Sequence, residues 1–161
     1  MDISLIIGLV LGFLLGLVSF LIEDTVRRRR DRRFIKEKVL KNLIIEAKQN
    51  KKIQKERSTW VSLTKDAWDE AKSSGVVRDL EEGLRTKLTD LYTKIIEKNE
   101  LLVYHRIGVS MPEGKELGVK DATGKVVTPL SQIIVTITEN LDKDIDSIIP
   151  LLEGELKKFD P

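Results

Sequence analysis

Near the C-terminus, Asp142, Asp144, Asp146 and Glu153 occupy positions 1, 3, 5 and 12 of a twelve-residue window. Oxygen ligands at that spacing are what an EF-hand calcium loop requires. The window departs from that pattern at two places. Ser147 stands sixth, where the sharp turn calls for glycine, and Pro150 stands ninth. An apolar period of three and four residues also runs straight through it, so the acids are read as one solvated face of a helix. His105 is the only histidine, and there is no cysteine. Thiolate catalysis, disulfides and cysteine-based zinc or iron–sulfur centres are therefore excluded, and a lone histidine makes a poor metal site. His105, between Tyr104 and Arg106, is expected at the margin of a bundle. No P-loop, no dinucleotide-binding glycine pattern and no H-E-x-x-H occurs. No catalytic residue, cofactor or metal is expected.

The strongest cluster of like charge is Arg27, Arg28, Arg29, Arg30, Arg32 and Arg33, interrupted only by Asp31. It follows Ile3–Ile22, a stretch with no charged residue and no proline. At 1.5 Å per residue, that stretch makes a helix of about 30 Å, the thickness of a bilayer's hydrocarbon core. The reading is a transmembrane helix. Asp2 precedes it, and Ser19-Phe20-Leu21-Ile22-Glu23 offers no small-residue cleavage site, so it is expected to remain as an anchor and not to be removed as a leader. Basic residues flanking a membrane helix stay on the cytoplasmic side, which puts the N-terminus outside and residues 23–161 inside. The same arginines can reach anionic lipid headgroups. A nucleic-acid role is the competing reading of an arginine run, and its place beside the apolar stretch argues against it.

Within the anchor, Ser4, Gly8, Gly12 and Gly16 recur every four residues and share one stripe. Small residues so placed let two helix backbones approach closely, which predicts a homo-oligomer through the anchor.

The body has a different charge balance. The chain carries 28 Lys+Arg and 26 Asp+Glu; without the six arginines and Asp31, 22 basic and 25 acidic side chains remain. A nucleic-acid-binding domain normally shows a basic face on the body, so no nucleic acid is expected. Charged residues make up 34% of the chain and aromatic ones 5%, a balance typical of long helices laced with ion pairs.

The elements follow in order. Residues 24–56 lack glycine and proline and place Ile35, Val39, Leu43 and Ala47 on one face, predicting a basic stalk helix. A connection at 58–63 contains Trp60. Thr64 is the expected N-cap of a short helix over 65–72 carrying Trp68, and Gly75 is expected in the left-handed conformation after it. Trp60 and Trp68 are both expected as large fillers of a bundle corner. Asp79 is expected to cap a long helix whose stripe is Leu80, Leu84, Leu88, Leu91, Ile95 and Leu102. A small hairpin or ordered loop is expected within 108–127, around the turn residues 121–124. Thr128 and Pro129 read as cap and first residue of a last helix, which Pro150 should kink or divide near Ser147. The resulting fold class is all-α: an N-terminal transmembrane helix, then an antiparallel bundle of three long helices and one short one. The expected divisions are 1–22 anchor, 23–57 basic stalk and 58–161 bundle body packed with the stalk.

The segment Trp60-Val-Ser-Leu-Thr-Lys-Asp-Ala-Trp-Asp-Glu-Ala-Lys-Ser-Ser-Gly75, followed by Leu80, Leu88, Tyr92 and Asn99, resembles a pattern in uncharacterised single-pass membrane proteins of archaea and bacteria. The resemblance covers roughly 25–100. It implies an anchor, an arginine-rich stop and a helical body, and it carries no activity. The function expected is a non-enzymatic, membrane-anchored bundle for self-assembly or for binding a protein partner. An anionic-lipid-engaging module that organises membrane is the alternative. An enzyme or nucleic-acid effector with an unrecognised site is a third.

Overall fold

The computed structural model describes the backbone of residues 3–57, 59–109, 118–120 and 126–159, and the side chains there except those of 3–10, Arg57, Val119 and Val127. Among the described residues the chain is all-α apart from one small hairpin. In order come α1 (Ile3–Arg57), α2 (Asp66–Ser73), a 3-10 turn (Val76–Asp79), α3 (Glu82–Val109), β1 (Gly118–Lys120), β2 (Val126–Pro129) and α4 (Leu130–Lys157). Two compact units divide it: residues 1–37, and residues 38–161, which form the bundle. The predicted stalk and anchor are one unbroken helical element, α1.

Side-chain pairs set the directions in the bundle. Asn50 meets Thr64, Glu46 meets Ala67, and Lys38 and Asn42 meet Glu70, so α2 runs back along α1. Leu63 meets Asn99, and Trp68 stacks on Tyr92, so α3 is antiparallel to that segment. Lys48 pairs with Glu153 and Lys51 with Asp146, which makes α4 antiparallel to α1. Lys94 pairs with Asp144, while Leu102 packs with Leu130 and Ile134, so α4 is antiparallel to α3 as well. Each helix therefore runs opposite to its predecessor. The main core holds Leu40, Leu43, Trp68, Leu91, Ile145 and Ile148, all buried. Leu102, Leu130 and Ile134 form a second, smaller cluster.

Several local expectations are corrected. Thr64 does not cap α2: its hydroxyl and N–H both bond to Asn50 Oδ1, and the helix begins after Lys65. The free N–H of Ala67 is met instead by Glu46 Oε2, at 2.8 Å from a different helix. Asp79 closes the 3-10 turn and does not cap α3, because the chain stays extended at buried Leu80 before α3 starts at Glu82. Pro129 takes the N-cap position with extended backbone, and Thr128 belongs to β2, one residue off the predicted pairing. Pro150 does not divide the last helix, since α4 continues through it. Pro150 and Asp146 are exposed, so water can satisfy the Asp146 carbonyl that the proline leaves without a donor.

Gly75 has φ +76°, the left-handed conformation expected of it. The hairpin is present, with Gly118 opposite Pro129 and Val119 opposite Thr128. A Cβ at Gly118 would lie 2.2 Å from the Thr128 carbonyl oxygen, so only glycine fits. The predicted turn at 121–124 lies outside the described residues.

Candidate functional site

Two regions carry unusual chemistry. The first is residues 1–37. Leu11, Phe13, Leu14, Leu15, Leu17, Val18, Phe20, Leu21 and Ile22 are all exposed, between 44% and 69%. A Cβ added at Gly12 or Gly16 meets nothing within 4 Å. Ser4 and Gly8 of the same stripe lie outside the residues whose side chains are described. Just beyond, Thr25 donates to the Leu21 carbonyl at 2.7 Å and Arg28 pairs with Asp24 at 2.8 Å. Arg28, Arg29 and Arg32, with Asp24 and Thr25, line a shallow groove of about 350 Å³. Guanidinium groups spaced one turn apart can grip a phosphate or carboxylate from one side. Arg27, Arg30 and Arg33 lie on the same helix; Arg33 has an interaction of its own. Among the described residues no helix is long and apolar enough to cross a membrane. The stretch Ile3–Ile22 lies only partly among them.

The second region is polar and inside the bundle. Glu46 is 5% exposed and accepts from Tyr92 Oη at 2.6 Å and from the Ala67 N–H at 2.8 Å. Burial, and then the Glu46 carboxylate, hold the Tyr92 phenol well above its usual range, so it stays a donor. Asn50 donates to the Thr64 carbonyl at 2.8 Å and accepts from the Thr64 N–H at 2.9 Å. Asn99 does the same for Leu63, donating at 2.8 Å and accepting at 2.9 Å. Two asparagines thus bond the backbone of the connection before α2 to α1 and α3, and Glu46 bonds α2 to both. Lys98 breaks this rule. It is 0% exposed, its ammonium has no hydrogen-bond partner, and burial pushes its pKa down to about 8. Both amide atoms of Gln54 and Asp142 Oδ1 are likewise buried without partners.

The residues singled out for chemistry fall elsewhere. Asp142, Asp144, Asp146 and Glu153 lie on helix α4, where no loop gathers them. Asp144, Asp146 and Glu153 pair with Lys94, Lys51 and Lys48. These are half-exposed contacts worth at most about 1 kcal/mol each, and their value is in setting register. Asp69 and Glu70 of α2 are held below the usual carboxylate range, Asp69 by Lys65 and Lys72, Glu70 by Asn42 and Lys38. His105 rests against the Trp60 ring, centroids 4.5 Å apart, and Arg106 Nη2 donates to the Trp60 carbonyl at 3.4 Å. Trp60 is 38% exposed and therefore caps the margin; only Trp68, 5% exposed and stacked at 4.9 Å on Tyr92, fills the core. Among the described residues no group of three or more acids or histidines is placed to hold a metal ion.

Glu46, Asn50 and Lys98 were not singled out from sequence, and Tyr92 and Asn99 entered only as residues of the resemblance, with no role. Lys98 left one signal there: it occupies the single gap in the α3 stripe between Ile95 and Leu102. No protein-family model, no curated protein and no solved structure matches the chain.

Proposed function

We propose that this chain is a single-pass membrane protein whose helical bundle serves assembly or partner binding at the cytoplasmic membrane face, without catalysis. The observation that carries this is the uncharged Ile3–Ile22 stretch, whose nine described large apolar side chains are all exposed. Hiding nine such side chains from water is worth on the order of 10 kcal/mol or more, comparable to the whole stability of a domain. The bilayer is the surrounding that supplies it, and the arginines that follow give the N-out orientation. The anchor, arginine stop and bundle come in the order that the Trp60–Gly75 resemblance implies.

The test is fractionation. Full-length chain is expected to stay with membranes through high salt and alkaline wash, and a variant lacking residues 3–22 to become soluble. Full-length chain recovered as a soluble monomer would end the proposal. Because there is no native cysteine, Ser147→Cys on exposed α4 reports orientation, and it should be protected from impermeant reagents in intact cells.

A lipid-engaging role is favoured by one further observation, the Arg28, Arg29 and Arg32 groove, which has the donors for an anionic headgroup. Self-association through the anchor has its own measurement. Gly12 and Gly16 face open space, so Gly12→Leu strains nothing within one chain. It is expected to lower cross-linked dimer at least several-fold, while Leu11→Ala leaves it near wild type. Equal cross-linking in wild type and Gly12→Leu would assign any assembly to the bundle.

A further inference from the structure

An α-helix returns to the same face every seven residues, within about 20°. Leu14, Leu21 and Arg28 are seven residues apart on the unbroken α1 and so stand in one row. Leu17 lies beside the first two and Arg32 beside the third. Leu14, Leu17 and Leu21 are 50%, 44% and 53% exposed. Along this face the chemistry changes once, from exposed leucines to the groove that Arg28, Arg29 and Arg32 line with Asp24 and Thr25.

Helical side chains lean toward the N-terminus, so these arginines reach back toward Leu21. Arg28 shows the lean: its Nε donates to Asp24 Oδ2, one turn earlier, at 2.8 Å. That bond takes one of five guanidinium N–H groups and leaves four. Arg29 and Arg32 make no hydrogen bond or ion pair among the described residues. Thr25 gives its hydroxyl hydrogen to the Leu21 carbonyl, 2.7 Å away, so the guanidinium groups are the donors of the groove. Three arginines against one aspartate leave it a net charge of +2.

The other arginines of the run point elsewhere. At 3.6 residues per turn, Arg30 lies about 160° and Arg27 about 100° round the helix from Arg28. Gly12, in the stripe assigned to self-association, is also about 160° from Arg28, so the two faces do not compete. A row of leucines ending in a guanidinium groove suits an amphiphile with hydrocarbon above and an anionic group at its foot. Phosphodiester oxygens accept from guanidinium donors in parallel pairs. A free phosphate would meet the groove and make no use of the leucines.

Resting on the membrane reading above, we propose that this face of α1 is a site for one anionic phospholipid of the cytoplasmic leaflet. Arg28, Arg29 and Arg32 hold its phosphate, and its acyl chains lie along Leu21, Leu17 and Leu14. The site belongs to one face of the arginine run and not to the run as a whole.

The experiment reconstitutes the full chain in phosphatidylcholine vesicles with a minor fraction of phosphatidylglycerol, extracts it in nonionic detergent, and measures the co-purifying lipid by mass spectrometry. Wild type is expected to enrich phosphatidylglycerol over its vesicle proportion by about five-fold or more. The triple variant Arg28→Gln, Arg29→Gln, Arg32→Gln should lose that enrichment. The triple variant Arg27→Gln, Arg30→Gln, Arg33→Gln removes the same charge and should keep it. Glycerol 3-phosphate in large excess should not displace the lipid. Enrichment that survives in the first variant, or falls equally in both, overturns the proposal, as does a wild type without enrichment. Displacement by glycerol 3-phosphate makes the groove a site for free phosphate and overturns the lipid. An alkaline wash of the same vesicles separates this from the membrane reading. Chain retained without enrichment ends the lipid site alone, and chain washed out ends both.

Discussion

At pH 7, Lys98→Met is expected to stabilise the bundle by about 2–3 kcal/mol, against the usual direction of a core substitution. Methionine keeps the unbranched length and fills the same space without an ammonium to desolvate. The pH dependence identifies the cause. Burial lowers the folded pKa of Lys98 to about 8, from 10.5. Below pH 8 the folded and unfolded chains both carry the proton, and the full burial cost is present. Between 8 and 10.5 the folded chain has released it while the unfolded chain retains it, so the unfolded state binds more protons and stability rises with pH. Above 10.5 the gain levels off, at about 3 kcal/mol. Denaturant melts of wild type and variant across this range should show their difference closing as pH rises. A difference that stays constant from pH 7 to 10.5 would mean that Lys98 is not buried as a charge.

Trp68→Ala is expected to cost about 3–5 kcal/mol, and Trp60→Ala less than about 1 kcal/mol. Trp68 lies in the main core with its ring 4.9 Å from that of Tyr92 and 2° from parallel. Its loss empties a space that α2, only eight residues long, has little other apolar surface to close. It also removes the ring that positions Tyr92 against Glu46, so the buried carboxylate loses support as well. Trp60 is more than a third exposed and meets the edge of the bundle at His105 and Arg106. In a chain of this size the first change should lower Tm by about 10 °C or more and the second by a few degrees at most. Equal losses would place Trp60 in the core after all and put the packing of the 59–65 connection in doubt.

Much of this protein was legible one residue at a time. The steps of three and four on α3 and α4 and the left-handed glycine at 75 are local properties of apolar spacing and backbone freedom, and the chain states them directly; the hairpin was legible only as a hairpin or ordered loop, with Thr128 and Pro129 assigned to the next helix. The uncharged Ile3–Ile22 stretch and the arginines behind it are equally plain in the sequence as a pattern. Caps were less legible. Thr64, Asp79 and Thr128 each carry the right side chain for a cap, yet long-range partners or an adjoining element decided the outcome: Asn50 took the Thr64 groups, Glu46 met the Ala67 N–H from another helix, and Thr128 went into β2. Local capping is worth about 1 kcal/mol, and tertiary contacts of that size readily override it.

The buried polar groups show the same limit. Asn50, Gln54 and Lys98 interrupt their stripes visibly, but an interruption in one helix does not say whether the residue faces water or a neighbour. Only the register between helices 50 to 105 residues apart turned Asp144, Asp146 and Glu153 from a calcium spacing into partners for lysines of α1 and α3, and only the packed bundle left Lys98 without an acceptor. Which face a helix buries can be read from its period; what lies opposite each buried polar group is a property of how the helices pair, and that was decided by tertiary structure alone.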